Sequence, residues 1–227
     1  ACLSLHRVEV KMLIPHHIEI TRQAIGAEFS PRALEAIARA NVGQDSLLYQ
    51  LGHDHFHFDN NQIEKSYAYI EEQRALVRPA LERGDAPSAW QAFGRMTHTA
   101  QDFYAHTDYI PRWLSRFTDR TPPAPEEVDP VSSEILSHPG LHSGKLYYPF
   151  EALTFLPLVG KFFVPLFPRD SHAHMSIDDH DGTGRFDYVF LAAVKRTKLE
   201  FEKTVALLSS ELLAQFVDRY TGKHVHT

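Results

Sequence analysis

His98, Asp102 and His106 recur at intervals of four within Gly94-Arg-Met-Thr-His-Thr-Ala-Gln-Asp-Phe-Tyr-Ala-His106. Four residues advance ~400° around an α-helix, so each step drifts only ~40° and the three side chains share one side. Imidazole and carboxylate are what zinc takes where thiolates are missing, and Cys2 is the single cysteine, which also excludes an internal disulfide. At a rise of ~1.5 Å per residue, His98 and His106 stand ~12 Å apart along the axis. Bonds of ~2 Å do not let one tetrahedral ion use both ends. The row therefore predicts more than one ion, with Asp102 shared between neighbours. The plainer reading, solvated polar residues on an amphipathic helix, applies to such a motif standing alone.

It does not stand alone. Asp45, His53, Asp54, His55, His57 and Asp59 form a second cluster, and His16 with His17 a third. His172, His174, Asp178, Asp179, His180 and Asp181 form a fourth. Several segments rich in imidazole and carboxylate are what a multinuclear zinc site gathered from separate helices requires. Some of these residues are then bystanders or orient a ligand from behind.

The elements that must position them read as all-α: a single-domain helical bundle. His17 to Glu28 is a short helix with Ile18, Ile20, Ala24 and Ile25 as its apolar set. Ser30 and Pro31 open a second helix, hydroxyl as cap and proline at the first position, running to about Asn41. Val42 to Asn61 reads as a loop. Gln62 to Arg83 is helical, with a kink expected at Pro79 and a stop at Gly84. Pro87 opens the helix that carries the row, expected to reach about Tyr109 and to end at Pro111. Ten of the 14 prolines lie from Pro111 to Pro168, so 111–184 is expected to be a mostly irregular insertion. From Arg185 to Tyr220, apolar residues three or four apart mark one long helix.

The 227 residues suit one domain with a real core, and 43% hydrophobic with 23% charged residues is an ordinary globular balance. A net charge of −6 without a basic run disfavours nucleic acid as partner. Ala1 to Val10 lacks the basic region and apolar core of a signal peptide. No stretch is apolar for long enough to span a bilayer as a helix.

The strings His17-Ile-Glu-Ile-Thr-Arg-Gln-Ala24, Asp45, His-Phe-His-Phe-Asp-Asn60 and Gly94-x-x-x-His98-x-x-x-Asp102 resemble the zinc-dependent phospholipase C and S1/P1 nuclease superfamily. His98-Thr-Ala-Gln-Asp-Phe-Tyr-Ala-His-Thr-Asp108 is most similar to its HET-C-like branch, which includes fungal heterokaryon-incompatibility proteins and bacterial relatives. The resemblance spans roughly Pro15 to Tyr109. It implies an all-helical fold holding two or three zinc ions and acting on phosphodiesters through attack of a metal-bound water. His17 would bind one ion, and Asp45, His57 and His98 another, with Asp102 bridging them and Asp45 considered as general base. His57 is preferred to His55, because His-Phe-Asp-Asn is the form of this branch. His106 would hold a third ion with ligands later in the chain, His172 and Asp178 foremost, His142 and His174 as alternatives. Family members use the mature N-terminal residue as a ligand, whereas here 16 residues precede His17, which leaves the role of Ala1 open. Secretion or export is expected ahead of purely cytoplasmic residence.

Phe150 to Phe167 is strongly apolar but broken by Glu151, Pro157, Gly160, Lys161 and Pro165. It is expected either to contact a membrane or phospholipid surface, through Phe162 and Phe163, or to pack into the core or a contact between copies of the chain. A phospholipase that releases diacylglycerol is the leading expectation. The alternatives are a membrane-active toxin or allorecognition protein with a structural metal cluster, and a single-strand nuclease or nucleotidase. A nuclease needs aromatic residues for base stacking; Phe56, Phe58, Tyr104 and Tyr109 are the candidates.

Overall fold

A computed structural model describes residues 14–46, 49, 52–119, 121–147, 150–151, 162–180 and 182–219. Ala1, Cys2, Asp181 and the interior 152–161 of the apolar segment lie outside the described residues. The described chain is all-α: α1 Ile14–Ile25, α2 Pro31–Val42, α3 Ile63–Glu82, α4 Ala86–His106, α5 Tyr109–Ser115, α6 Ser133–Leu136, α7 His172–Met175, α8 Arg185–Val205 and α9 Ser210–Val217. Two isolated bridges, Thr107 with Ser143 and Lys145 with Ser171, are its β-type pairings.

The helix α4 is the axis of the bundle. From Met96 to His106 every residue is buried, enclosed by α2, α3 and α8, with α1 laid across α2 and α8. Gly94 sets the closest crossing: a Cβ there would stand 2.8 Å from the Ala40 Cβ and run into the Ile37 carbonyl. The close approach lets Asn41 of α2 donate to Thr97 Oγ1 and Gln101 Oε1 of α4, at 3.1 and 3.2 Å. The far end of α4 is a knot of aromatic rings, Phe103, Tyr104 and Tyr109.

Several boundaries depart from the sequence reading, each for a local reason. The first helix starts earlier than His17, at Ile14, because Pro15 fits a first turn that needs no amide hydrogen. It ends at Ile25, short of Glu28. Ser30 and Pro31 open α2 as expected, with Ser30 Oγ accepting from Ala33 N at 3.1 Å. The loop after α2 contains two single 3₁₀ turns, Gly43–Asp45 and Asp54–Phe56. Gly84 follows α3 at φ +74°, the left-handed stop that glycine supplies.

The central helix stops at His106, short of Tyr109. Thr107 turns extended, its Oγ donates to the Phe103 carbonyl, and its backbone bridges Ser143. Pro111 does not end a helix. It sits in the first turn of α5, where its missing N–H costs no bond. Among the described residues of 111–184, the short helices α5, α6 and α7 and the 3₁₀ turns Pro125–Glu127 and Val164–Leu166 interrupt the irregular chain. The C-terminal stretch is two helices and not one. Ser209 caps α9, accepting from Leu212 N at 3.3 Å, and the turn swings Phe216 back against Phe29 and Phe93. Trp90 Nε1 donates to the Phe216 carbonyl at 2.6 Å and locks that return.

Candidate metal centre

Asp102 occupies the middle of a set of buried imidazoles. Its Oδ1 lies 3.2 Å from His17 Nε2, and its Oδ2 lies 2.9 Å from His57 Nδ1 and 3.1 Å from His98 Nε2. His57 Nδ1 and His98 Nε2 are 3.1 Å apart. A tetrahedral ion with bonds of ~2 Å has ligand–ligand edges of ~3.3 Å, so this triangle has close to the dimensions of one face of such a site. Asp45 stands further out, 4.0 Å from His17 Nε2 and 3.8 Å from His98 Nε2. Two overlapping groups result, His17–Asp45–His98 and His57–His98–Asp102. The resemblance grouped Asp45 with His57 and His98; in the fold it falls with His17 and His98, while Asp102 turns one oxygen to each group.

Helical spacing supplies His98 and Asp102, but His17 is aimed by a residue that sequence reading missed. Gln101 Oε1 accepts from His17 Nδ1 at 2.6 Å, which leaves the Nε2 lone pair facing Asp102. Gln101 Nε2 donates to Thr21 and Thr197, so α1, α4 and α8 are tied at one amide.

His57 and not His55 turns inward, through aromatic anchors. Phe56 stacks on Tyr69 at 4.2 Å, and Phe58 is wedged edge-on between Tyr67 and Phe103. With those rings buried on one side, His57 and Asp59 face the other. The segment is a turn and not an extended strand: Phe58, Asn60 and Asn61 have φ near +55 to +59°. For a bulky Phe58 this costs on the order of 1–3 kcal/mol, offset by its complete burial. His55 rests half-buried against Phe56 and Tyr69, and burial with nearby His53 and Lys65 lowers its pKa. Asp54 closes the same turn by accepting from Asn60 and Gln62.

The second centre surrounds His106. His106 Nδ1 lies 2.8 Å from the His57 carbonyl, which can only accept, so Nδ1 carries the hydrogen and Nε2 the lone pair. Nε2 faces Asp178 Oδ1 at 3.3 Å. On the other flank Asp59 Oδ1 holds His172 Nδ1 at 2.8 Å and approaches His106 Nδ1 at 3.3 Å. Asp59, His106 and His172 form a third group with metal-binding spacing; the Nδ1 hydrogen favours His106 Nε2 with Asp178 as its ligating side and Asp59 as the carboxylate that orients His172. Asp59, which the sequence places in the second cluster without a particular role, is drawn into this centre by the fold. His142 is turned away, 3.0 Å from Asp108, and His174 is exposed. A strap at Ser143 and Gly144 makes the selection: Gly144 N donates to the His106 carbonyl, its own carbonyl accepts from Asn60 N, and a Cβ there would strike His172.

The fit to a cation rests on orphaned atoms. Asp102 Oδ1, His106 Nε2 and Asp178 Oδ1 are buried and make no hydrogen bond, though buried polar atoms ordinarily find partners. Burial works against ionising Asp102, Asp59 and Asp178, yet the surrounding imidazoles hold all three below the usual carboxylate range. Burial pushes His98 toward neutrality. It opposes charge on His17 and His106 too, but Asp102, Asp45 and Asp59 outweigh it and draw protons on to both. Anionic oxygens facing imidazoles that must otherwise hold protons are what a cation would replace. Buried His and Asp clusters here can hold metal ions.

Other expectations resolve plainly. His16 pairs with exposed Asp179, and its ring lies against Phe186. Phe56, Phe58, Tyr104 and Tyr109 are all buried in the core, with the Tyr104 and Tyr109 hydroxyls donating to the Pro130 and Asp129 carbonyls. None can stack on a nucleobase, a correction to that reading. Phe162 and Leu166 are 68% and 75% exposed, as is Phe150 at 68%, and Phe163 is half-buried. No helix among the described residues is long and apolar enough to cross a membrane.

Comparison with known proteins adds one similarity. A family model described as the VWA7 N-terminal domain matches residues 16–115, a span that holds His17, Asp45, His57, Asp59 and the His98–Asp102–His106 row but neither His172 nor Asp178. No curated protein and no solved structure matches the chain.

Proposed function

We propose that the chain is a zinc-dependent phosphodiester hydrolase of the phospholipase C type, releasing diacylglycerol from phospholipid. The observation that carries this reading is Asp102, whose Oδ1 faces the buried His17 imidazole and whose Oδ2 faces those of His57 and His98. Zinc bound there supplies Lewis acidity and lowers the pKa of water toward neutrality. The chain's own residues do the rest. Gln101 and the His57 carbonyl fix the tautomers of His17 and His106. Asp45, the most exposed carboxylate of the first cluster, stands at its mouth, where it can accept a proton from an attacking water.

The lipid half of the reading has separate support. Glu151, fully buried, accepts from Tyr147 N and from Ala173 N, so it clamps the start of the apolar segment to the residue after His172. The start of the segment is therefore held beside the second centre. Its described members Phe150, Phe162 and Leu166 project into solvent, an arrangement suited to a lipid surface.

A second reading, a structural metal cluster in a membrane-active or recognition protein, draws on the burial of His17, His98 and Asp102 at 0–1% exposure, since structural zinc sites are closed. Elemental analysis beside a diacylglycerol-release assay on phosphatidylcholine vesicles separates the two. Multiple zinc equivalents with chelator-sensitive release are expected; zinc without release transfers the assignment to the structural reading.

A further inference from the structure

A groove between α2 and α4 reaches as far as Gln44, the neighbour in sequence of Asp45 in the first metal cluster. Gln91 and Arg95 line its α4 side, Arg39 its α2 side, and Gly43, Gln44 and Tyr49 its far end. It holds about 340 Å³, within the range of small-ligand sites. On α4, Gln91, Arg95, His98 and Asp102 fall within ~60° of one another. Groove and metal cluster are therefore successive stretches of one helix face, with Arg95 about one turn before His98. Gln44 is the residue before Asp45. Asp45 is also where the cluster opens: its side chain is 10% exposed, against at most 3% for His17, His57, His98 and Asp102.

Arg95 is the unusual member. It is half-buried, and no carboxylate among the described residues pairs with it. The buried arginines Arg74 and Arg196 are both paired with Glu200. Its place at the cluster end of the groove follows from its position one turn before His98 and from Gln44, which lines the same groove and donates through Nε2 to the buried Tyr69 hydroxyl at 3.0 Å. Arg39 adds a second positive charge, and its pair with Glu35 is exposed on both sides, so it is readily exchanged for another anion. A guanidinium fork held in a walled groove without a counter-ion suits a phosphate.

We propose that this groove is a second anion subsite, in which Arg95 grips a phosphate on the alcohol portion of a phospholipid headgroup while the scissile phosphorus lies at the metal cluster. The proposal rests on the phospholipid reading above and selects headgroups that carry a phosphate of their own.

The test compares zinc-loaded wild-type protein with Arg95→Gln and Arg95→Lys on vesicles of phosphatidylcholine alone or mixed with phosphatidylinositol 4-phosphate. Wild type should favour the phosphoinositide, and Arg95→Gln should lower kcat/KM on it about tenfold more than on phosphatidylcholine, with Lys recovering part of the loss. Equal losses on both lipids, or no preference in wild type, would overturn the subsite while leaving the phospholipase reading intact. If wild type cleaves neither lipid, that reading fails instead. The subsite is then decided by calorimetric binding of inositol 1,4-bisphosphate, which Arg95→Gln should weaken about tenfold and which, if unweakened, overturns it.

Discussion

Two clusters of buried charge lie on neighbouring faces of the same bundle, and they are built on opposite plans. Between α3 and α8, Glu200 is fully buried and accepts from Arg74 with one oxygen and from Arg196 with the other, with Lys203 adding a longer contact from outside. Each charge there has a partner of opposite sign. Around Asp102 and His106 the anions and imidazoles also meet, yet among the described residues Asp102 Oδ1, His106 Nε2 and Asp178 Oδ1 lie in ion-pair range without a well-formed hydrogen bond. A closed network of this kind has what it needs to fold. An open one is complete only with something added, and the donor set says a cation.

The largest expected effect tests the open cluster. Asp102→Asn removes the carboxylate that lies against His17, His57 and His98 together, and diacylglycerol release should fall below detection, with loss of at least one zinc equivalent. Chelation should lower the melting temperature of wild type but hardly that of the variant. Retained activity with full zinc content would break the comparison at its root.

The next effect belongs to the closed cluster. Glu200→Gln leaves two buried guanidinium groups short of an anion and should cost about 3–5 kcal/mol, a drop on the order of 10 °C in melting temperature. Zinc content of the folded fraction should not change. Arg196 and Arg74 hold the Glu200 carboxyl below its ordinary 4.5, although burial alone would raise it. Its stabilisation is therefore present above about pH 4.5 and fades as pH falls through its lowered folded value. The stability gap between wild type and Glu200→Gln should accordingly be wide at pH 7 and narrow in acid. A gap that widens in acid would show that Glu200 is not the ionised partner.

Sequence reading reached these two clusters very unequally. The His98–Asp102–His106 row is legible because a period of four on a helix is local information. Glu200 and Arg196 have the same spacing, yet nothing local to them marks their burial, which comes only when α3 closes over them. His57 could be preferred to His55 by motif, but the physical reason lies in the rings of Phe56 and Phe58, whose burial needs α3 and α4 in place. His172 and Asp178 could not be separated from His142 and His174 by spacing, since the choice is made by the Ser143–Gly144 strap across three distant segments. The breaks at Thr107 and Ala206 escaped for a similar cause: apolar periodicity runs through both, and tertiary contacts interrupt it.

Gln101 sharpens the same contrast at a smaller scale. It is uncharged and buried, and hydrogen-bonds four side chains, His17, Asn41, Thr21 and Thr197. Gln101→Ala should lower zinc affinity about 10- to 100-fold, as expected for a group that orients a ligand from behind. The bridging Asp102 remains in place, so some zinc should still bind. A titration showing wild-type affinity would make Gln101 part of the closed, structural network instead.

The smallest effect concerns the apolar segment beside the second centre. Phe162 is mostly exposed, so replacing Phe162 and Phe163 together by Ser should shift stability by little more than about 0.5 kcal/mol. If the segment meets lipid, however, each ring forfeits on the order of 1–2 kcal/mol of burial in the bilayer interface. Vesicle binding should then weaken by at least about tenfold, while hydrolysis of a short-chain phospholipid below its critical micelle concentration should hold. Unchanged vesicle binding would dispose of the membrane contact, whereas loss of both activities would mean that the segment shapes the metal centre through the Glu151 clamp and not through lipid.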